Sequence, residues 1–178
     1  MTERRVLLSV PALSTLAGLL VLFSAPAAFA ASVSDYCRLF TKDDIEKTLN
    51  TSVTEVKPWP LKVVLGPEGL HDQACVFFAG SRTLRITVTE TPSMSEAEQT
   101  YKNTVSGHAI MNSAKPMPLA DVHDEAMIAA STVVMRRQNL VVNFSVADFA
   151  NDDESRMSLG RALAQKVAEK LFVAGSSS

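Results

Sequence analysis

The fold of this chain is decided by residues 74–91, which read ACVFFAGSRTLRITVTET. The apolar segment Ala74–Ala79 predicts a compact strand, and Gly80-Ser81 predicts a turn. Apolar and polar residues then alternate along Thr83–Thr91, with Leu84, Ile86 and Val88 set against Arg85, Thr87 and Thr89. This alternation is typical of a strand with one buried and one wet face, so the stretch predicts a β-hairpin with helices on one side of the sheet and water on the other.

A tryptophan between two prolines precedes this hairpin. Val53–Lys57 predicts a short strand that Pro58-Trp59-Pro60 interrupts, and Leu61–Leu65 forms either another strand or part of an irregular loop. Trp59, the single tryptophan of the chain, is therefore placed in a loop. A rigid indole there could anchor a partner or a ligand, which makes Trp59 a candidate binding residue. The alternative, which we favour, is that it folds back over one end of the core.

Three more strands are predicted after the hairpin: Ala126–Ala129, Thr132–Arg136 and Leu140–Ala147. The last two are joined by Arg137-Gln138-Asn139, where Asn139 can adopt a left-handed conformation. Arg136 and Arg137 lie beside this hairpin tip. They are predicted to blunt an exposed sheet edge or, alternatively, to contact an anionic surface.

Helices are predicted from capping residues. Each start pairs a polar cap with an acidic residue three positions later: Thr41 with Asp44, Ser95 with Glu98, and Asn151 with Glu154. These helices end near Asn50, Val105 and Phe172, and an irregular stretch, Ser106–Val122, follows the second. The last helix has one face with helical spacing that should lie on the sheet: Gly160, Leu163, Ala164, Val167 and Leu171.

The predicted order is helix, strands, helix, strands, helix in a single domain. Antiparallel hairpins packed by helices define an α+β fold with a sandwich-like arrangement. We expect the small residues Gly160 and Ala164 to let the last helix approach the sheet closely.

Residues 1–30 are predicted to be a cleavable export signal. Arg4 and Arg5 precede an uncharged apolar run over Val6–Phe23, and Ala28-Phe29-Ala30 fits a signal-peptidase site. A retained membrane anchor is the rival interpretation, but the run is interrupted by proline and glycine and has no basic flank after it. Cleavage leaves an exported domain over 31–174 with a flexible tail at 175–178, located in the periplasm or outside the cell.

The charge of the chain is mildly acidic. The formal net charge is −2, and loss of the leader, which carries two Arg and one Glu, lowers it to −3. Phosphate-backbone binding requires clustered Lys and Arg, and the only basic pair after the leader is Arg136-Arg137. Nucleic acid is therefore excluded as the expected partner.

Two cysteines, Cys37 and Cys75, remain in the mature chain. In an oxidising compartment an isolated pair most often forms a disulfide, and a loop of this length contributes about 4 kcal/mol of stability in the chain-entropy model. A redox or metal role is the alternative. The sequence has no Cys-x-x-C motif, and only His71 lies at ligand spacing from either thiol, so we favour the structural bond.

Three short motifs resemble a known group of proteins. They are the run Cys37–Ile45, the run Cys75–Phe78 that opens a strand, and the run Ala120–Ala126 before a hairpin. Together they resemble small exported bacterial domains of unknown function, found as envelope lipoproteins or extracellular sensor-like domains, some with a PsbP-like sandwich. The resemblance implies a Cys37–Cys75 disulfide and a bacterial envelope location. It differs at His123, where that group commonly has glycine, and in lacking the lipidation cysteine.

Catalytic chemistry has no clear signature in the sequence. There is no Gly-x-Ser-x-Gly elbow, and the acidic pairs lie at helix starts or turns, where they favour the helix dipole. We therefore predict a non-catalytic binding or interaction module whose partner is an envelope protein or a small ligand, without a cofactor.

Copper handling is the alternative function. His108, Met111, Met117 and His123 form a loose cluster with Met127, and imidazole and thioether groups suit copper. Met111 and Met127 could equally be core side chains that fill irregular space.

Overall fold

The computed structural model describes residues 33–59, 71–122 and 125–172 of the 178-residue chain. Several predictions fall outside these ranges: the export signal (1–30), Leu61–Leu65, His123 and the tail at 175–178. The described residues form an α+β domain of four helices and one seven-stranded antiparallel sheet. The predicted fold class and the order helix, strands, helix, strands, helix are confirmed.

The helices are α1 (Val33–Leu39), α2 (Lys42–Leu49), α3 (Met94–Met111) and α4 (Asp153–Phe172). The strands are β1 (Glu55–Trp59), β2 (His71–Ala79), β3 (Arg82–Glu90), β4 (Met117–Pro118), β5 (Glu125–Ala129), β6 (Thr132–Arg137) and β7 (Leu140–Ser145). They lie in the order β1-β2-β3-β7-β6-β5-β4. Because β3 pairs with β7, the two halves of the sheet join through paired residues that are 50 to 58 positions apart in sequence.

Strand register assigns each side chain to one of two faces, since directly opposed residues of paired strands share a face. We name the two surfaces the α4 face and the α3 face, after the helices that pack on them. One row on the α4 face is Pro58, Cys75, Ile86, Phe144, Val133, Ile128 and Met117. The adjacent row on the α3 face is Trp59, Ala74, Thr87, Asn143, Val134, Met127 and Pro118.

The main core lies between the α4 face and the helices α1, α2 and α4. The predicted inner side of α4 is confirmed, because Gly160, Leu163, Ala164, Val167 and Leu171 are all buried. α2 also begins as predicted, since the Thr41 side chain accepts a hydrogen bond from the Asp44 N–H. Asn50 ends α2 in a left-handed conformation, with φ of 48°.

The α3 face is also covered by a helix. The prediction that helices lie on one side of the sheet and water on the other is therefore wrong. Ala97, Tyr101 and Val105 of α3 are buried against Val134 and Val141 on the α3 face. Thr87 and Thr89 of the alternating strand, predicted to be wet, are buried as well. The domain is therefore a sheet with helices on both faces, which agrees with the sandwich-like arrangement.

The two cysteines form the predicted disulfide. Cys37 of α1 is bonded to Cys75 of β2, with a Cα–Cα distance of 5.4 Å. The bond attaches α1, a helix that the sequence did not predict, to the second strand from the edge of the sheet. Since Cys75 is buried in the main core, the bond joins two layers rather than two loops.

Helix α3 begins earlier and ends later than predicted. Its N-cap is Ser93, whose hydroxyl accepts a hydrogen bond from the Glu96 N–H at 3.2 Å, rather than Ser95. The helix continues past Val105 to Met111 because no proline follows until Pro116 and a single glycine, Gly107, does not end a helix. His108 and Met111 are therefore helical residues, not parts of an irregular stretch.

Two further local predictions are corrected. α4 is capped by Asp152, which accepts the Ser155 N–H at 2.8 Å, and not by Asn151. In the β6–β7 turn the left-handed residue is Gln138, with φ of 51°, and not Asn139. Asn139 is used elsewhere, because its carbonyl accepts the Thr91 N–H at 2.9 Å and its amide donates to the Thr91 carbonyl at 3.2 Å.

Candidate ligand-binding cleft

The buried stripe of α3 ends in a histidine. Ala97, Tyr101 and Val105 follow one another at four-residue spacing and pack on the sheet. His108 lies three residues beyond Val105, so the helical repeat places it on the same side of α3. At this level the apolar contact between helix and sheet stops and a polar cleft begins.

The cleft has a volume of about 430 Å³. It is lined by Thr83, Arg85, His108, Thr132, Asn143, Phe144, Ser145 and Asp148. Strands β3, β6 and β7 form the floor through side chains on the α3 face, α3 contributes His108, and the loop after β7 contributes Asp148. In the floor, Thr132 and Asn143 have paired residues on both sides, whereas Thr83 and Arg85 are paired with β2 alone.

Strand alternation explains why the floor is polar. Thr132 is opposed to Ser145 and Val134 to Asn143, so the α3 face changes along β6 from an apolar residue under the helix to a threonine in the cleft. On β3 the wet-face prediction holds for Arg85, which is exposed. It fails for Thr87 and Thr89, which lie nearer the covered end of the strand.

Two basic groups in the cleft have no carboxylate partner among the residues that the structure describes. Arg85 forms no ion pair or hydrogen bond there, and the His108 ring donates to and accepts from no described side chain. The one acidic side chain in the lining is Asp148, whose Oδ2 accepts the backbone N–H of Thr83 at 3.3 Å. The cleft therefore offers the charged guanidinium of Arg85 and the imidazole of His108 as available donors, and its single carboxylate already has a backbone partner.

The neutral groups of the cleft are three hydroxyls and one amide. The Ser145 hydroxyl lies 3.4 Å from the Ser131 hydroxyl and accepts the Ala147 N–H at 3.3 Å, so part of its capacity is used. Within the described ranges none of these hydroxyls is bonded to His108. The arrangement supplies several converging donors and acceptors, which is the pattern of a polar ligand site.

A second groove lies between α2 and the start of α4. Its volume is about 500 Å³, and Glu154 is the charged residue in its lining. Ser155, on the same wall, already donates to Asp152 through its backbone and its hydroxyl. The groove offers a ligand fewer unpaired polar groups than the His108 cleft does.

Trp59 lies in a different place from the one predicted. It belongs to the edge strand β1, opposite Ala74, and not to a loop. Pro58 is accommodated in this strand because an edge position does not need every backbone N–H for pairing. The indole is 49% exposed, so the favoured expectation that it covers the core is wrong. Trp59 does not line the cleft, and β2 separates its strand from β3, the nearest strand of the cleft floor.

Arg136 does not blunt an edge, because β6 is an interior strand between β5 and β7. Its Nε lies 2.9 Å from Oε2 of Glu125, and its side chain is largely buried. Hydrogen bonding to Glu125 raises the pKa of this guanidinium above its usual range. Arg137 occupies the same interior strand opposite Leu140, so the edge explanation is wrong for both arginines.

The candidate copper ligands are spread over the fold. His108 lines the cleft, Met111 is 73% exposed at the end of α3, and His123 lies outside the described residues. Met117 of β4 opposes Ile128, so it belongs to the α4 face, whereas the cleft opens on the α3 face. This separation disfavours one ion bound by both His108 and Met117.

Met127, on the α3 face, packs with the α3 contact and behaves as a core side chain. Among the described residues there is no group of three or more His, Cys, Asp or Glu side chains that could hold a metal ion. A copper site that combines His108 with His123 stays a prediction.

Comparison with known proteins gives no relative. No family model, no curated protein and no solved structure matches the chain. The resemblance to small exported bacterial domains therefore stays a prediction. In the described part of the chain, no helix has the length and apolar character needed to cross a membrane.

Proposed function

We propose that this protein is an exported, non-catalytic binding module that holds a small polar ligand in the cleft between α3 and the sheet. The observation that carries the proposal is the position of His108. It continues the buried stripe of α3, yet it stands over a polar floor instead of an apolar one. A helix that only packed on this sheet would continue its apolar contact to its end.

The geometry of the cleft supports binding. Its volume lies within the range of about 300–1,000 Å³ that is usual for small-molecule sites. The floor belongs to central strands, and residues on a rigid sheet present a ligand with fixed partners at low entropic cost. An apolar ligand would leave the hydroxyl and amide groups of the floor without partners, so a polar ligand fits better.

Export is supported by the leader chemistry of residues 1–30 and is consistent with the disulfide. Expression of the whole chain in a bacterial host, followed by fractionation and N-terminal sequencing, tests it. A product that begins at Ala31 and is found in the periplasm or the medium supports export. An intact leader on cytoplasmic protein contradicts it.

Ligand binding is tested by thermal unfolding of the purified protein with panels of sugars, amino acids, organic acids and nucleotides. A ligand present at a hundred times its Kd stabilises the folded state by about 2.7 kcal/mol. We expect at least one chemical class to raise Tm in the wild type and Ser145→Phe to abolish the effect, because phenylalanine would fill the cleft.

The matched control is Ser95→Phe, which places the same side chain at an exposed position in the first turn of α3. It should keep the ligand effect. If no class raises Tm, or if a class does so equally in Ser145→Phe, the proposed site is wrong.

A further inference from the structure

We infer that the cleft recognises an oxyanion group of its ligand, a carboxylate or a phosphate, through Arg85 assisted by His108. This inference rests on the proposed function and names the ligand class for the same site. A carboxylate and a phosphate both present negatively charged oxygens, in a planar or a tetrahedral group. A guanidinium binds such oxygens through two parallel hydrogen bonds.

Arg85 is the first argument. It lies on β3, where its backbone pairs with Val76 of β2, and its side chain is on the α3 face beyond the last apolar contact of the helix. Arginine is charged at every physiological pH, so this position brings a permanent positive charge to the cleft.

Three other arginines of the described ranges have side-chain partners, which Arg85 lacks. Arg136 pairs with Glu125, and Arg156 pairs with Asp153. Arg82 donates to the Thr51 hydroxyl and lies over the Phe149 ring. Arg85 has none of these contacts within the described ranges, although it lines a cleft. Its donors are thus available to a ligand.

His108 is the second argument. The imidazole can donate a hydrogen bond to an oxyanion whether it is neutral or protonated, since one ring nitrogen carries a proton in either state. It belongs to α3, whereas Arg85 belongs to β3, so a ligand bound by both would bridge the helix and the sheet.

The third argument is the balance of charge. The single carboxylate of the lining, Asp148, has a backbone partner in the Thr83 N–H and lies in the loop after β7. The other polar groups are Thr83, Thr132, Ser145 and Asn143, all of which can donate a hydrogen bond. The lining therefore sets one carboxylate against one guanidinium, one imidazole and four neutral side chains that can donate hydrogen bonds to an anionic group.

The experiment is NMR titration of the purified wild-type protein with three probes: inorganic phosphate, succinate and uncharged glucose. The signals followed are the ring protons of His108, assigned by their loss in His108→Asn, and the side-chain Nε–H of Arg85, assigned by its loss in Arg85→Gln. We expect saturable shifts of both sets of signals with phosphate or with succinate. The probe that binds more tightly identifies the source of the oxyanion.

Arg85→Gln keeps the length and polarity of the side chain but removes its charge, and it should weaken binding of the anion by about ten-fold or more. Lys115→Gln is the matched control, since it removes one positive charge from an exposed residue outside the cleft. It should leave the affinity unchanged. Arg85→Lys retains the charge without the planar fork and should give an intermediate affinity.

The outcomes separate this inference from the proposed function. If glucose shifts the His108 signals and neither anion does, the cleft binds ligands but the oxyanion inference is wrong. Equal weakening by Arg85→Gln and Lys115→Gln also overturns it, because the anion would then respond only to net charge. If no probe shifts the His108 or Arg85 signals, the oxyanion inference fails, while thermal unfolding with the other ligand panels still decides the proposed function. Should Arg85→Gln not fold, the titration of the wild type decides alone.

Discussion

Gly160 of α4 lies against Val133 of β6 so closely that a Cβ on the glycine would be 3.0 Å from Cγ2 of that valine. The same atom would be 3.2 Å from Cδ1 of Ile128. Both neighbours are fully buried, so neither can move away without disturbing the main core. The missing side chain is what allows α4 to rest on the sheet.

We predict that Gly160→Ala lowers the free energy of unfolding by about 1 kcal/mol. Overpacking costs about 1–3 kcal/mol, and the better helix propensity of alanine returns about 1 kcal/mol of it. Urea unfolding measures the change. Gly107→Ala is the control, because a Cβ at Gly107 of α3 meets nothing within 4 Å. It should stabilise the protein by about 0.5–1 kcal/mol. Equal effects of the two changes would contradict the close approach.

The close approach of α4 to the sheet could be predicted from the spacing of small and large apolar residues within the helix itself. Gly160 and Ala164 repeat at helical intervals with larger apolar residues, and this pattern needs no knowledge of the partner strands. The same is true of the Thr41 cap and of the alternating strand that carries Arg85. Fold class follows from such local signals taken in order.

The cleft could not be predicted because its parts are distant in sequence. Arg85 and Asn143 share a floor only because β3 pairs with β7, and no residue of either strand specifies that pairing. His108 was a candidate ligand by its chemistry, but the sequence prediction ended α3 near Val105 and placed His108 in an irregular stretch. The helix in fact continues to Met111, and its C-cap is Asn112. Extending the stripe of Ala97, Tyr101 and Val105 by one turn would have located it.

The N-terminus of α3 offers a direct test between the predicted and the observed cap. Ser93→Ala should lower the free energy of unfolding by about 1 kcal/mol, because it leaves the Glu96 N–H without its side-chain acceptor. Ser95→Ala, the matched serine two residues later, should change stability by a few tenths of a kcal/mol at most. Urea unfolding of both variants decides. A larger loss for Ser95→Ala would assign the cap to Ser95.

The disulfide that joins α1 to β2 should make a large contribution to the free energy of unfolding. Replacing Cys37 and Cys75 together by serine is expected to lower the free energy of unfolding by about 4 kcal/mol, because the bond closes a loop over a sequence separation of 38. Urea unfolding without reductant measures the loss. Reductant should destabilise the wild type and leave the double variant unaffected. Alkylation of the unreduced wild type should label neither cysteine, and any labelling would argue against the bond.

Tyr101 should make the fold sensitive to alkaline pH. Burial of its side chain between α3 and the sheet, reinforced by the charge of Glu125 and opposed by Arg136, raises the pKa of Tyr101 to about 12 from an ordinary value of 10.0. The folded state then keeps a proton that the unfolded state releases, so the stabilisation is complete below the unfolded pKa and is lost as pH rises from about 10 toward about 12.

The measurement for Tyr101 is the free energy of unfolding from about pH 9 to about pH 11, compared between the wild type and Tyr101→Phe. The wild type should lose stability more steeply, because phenylalanine has no proton to release. Burial also raises the pKa of Tyr36, and this second tyrosine remains in both proteins, so its contribution cancels in the comparison. Parallel pH profiles would show that Tyr101 ionises as freely in the folded state as in the unfolded state.

Trp59 should report on the sheet edge as an accessible fluorophore. The indole is half exposed at the end of β1, and it is the single tryptophan of the chain, so its emission has one source. We expect acrylamide to quench this emission efficiently in the folded protein, with a modest further increase on unfolding in urea. Trp59→Phe should cost less than about 1 kcal/mol of stability, because much of the indole surface is already in water. Emission that resists quenching until the protein unfolds would place Trp59 over the core instead.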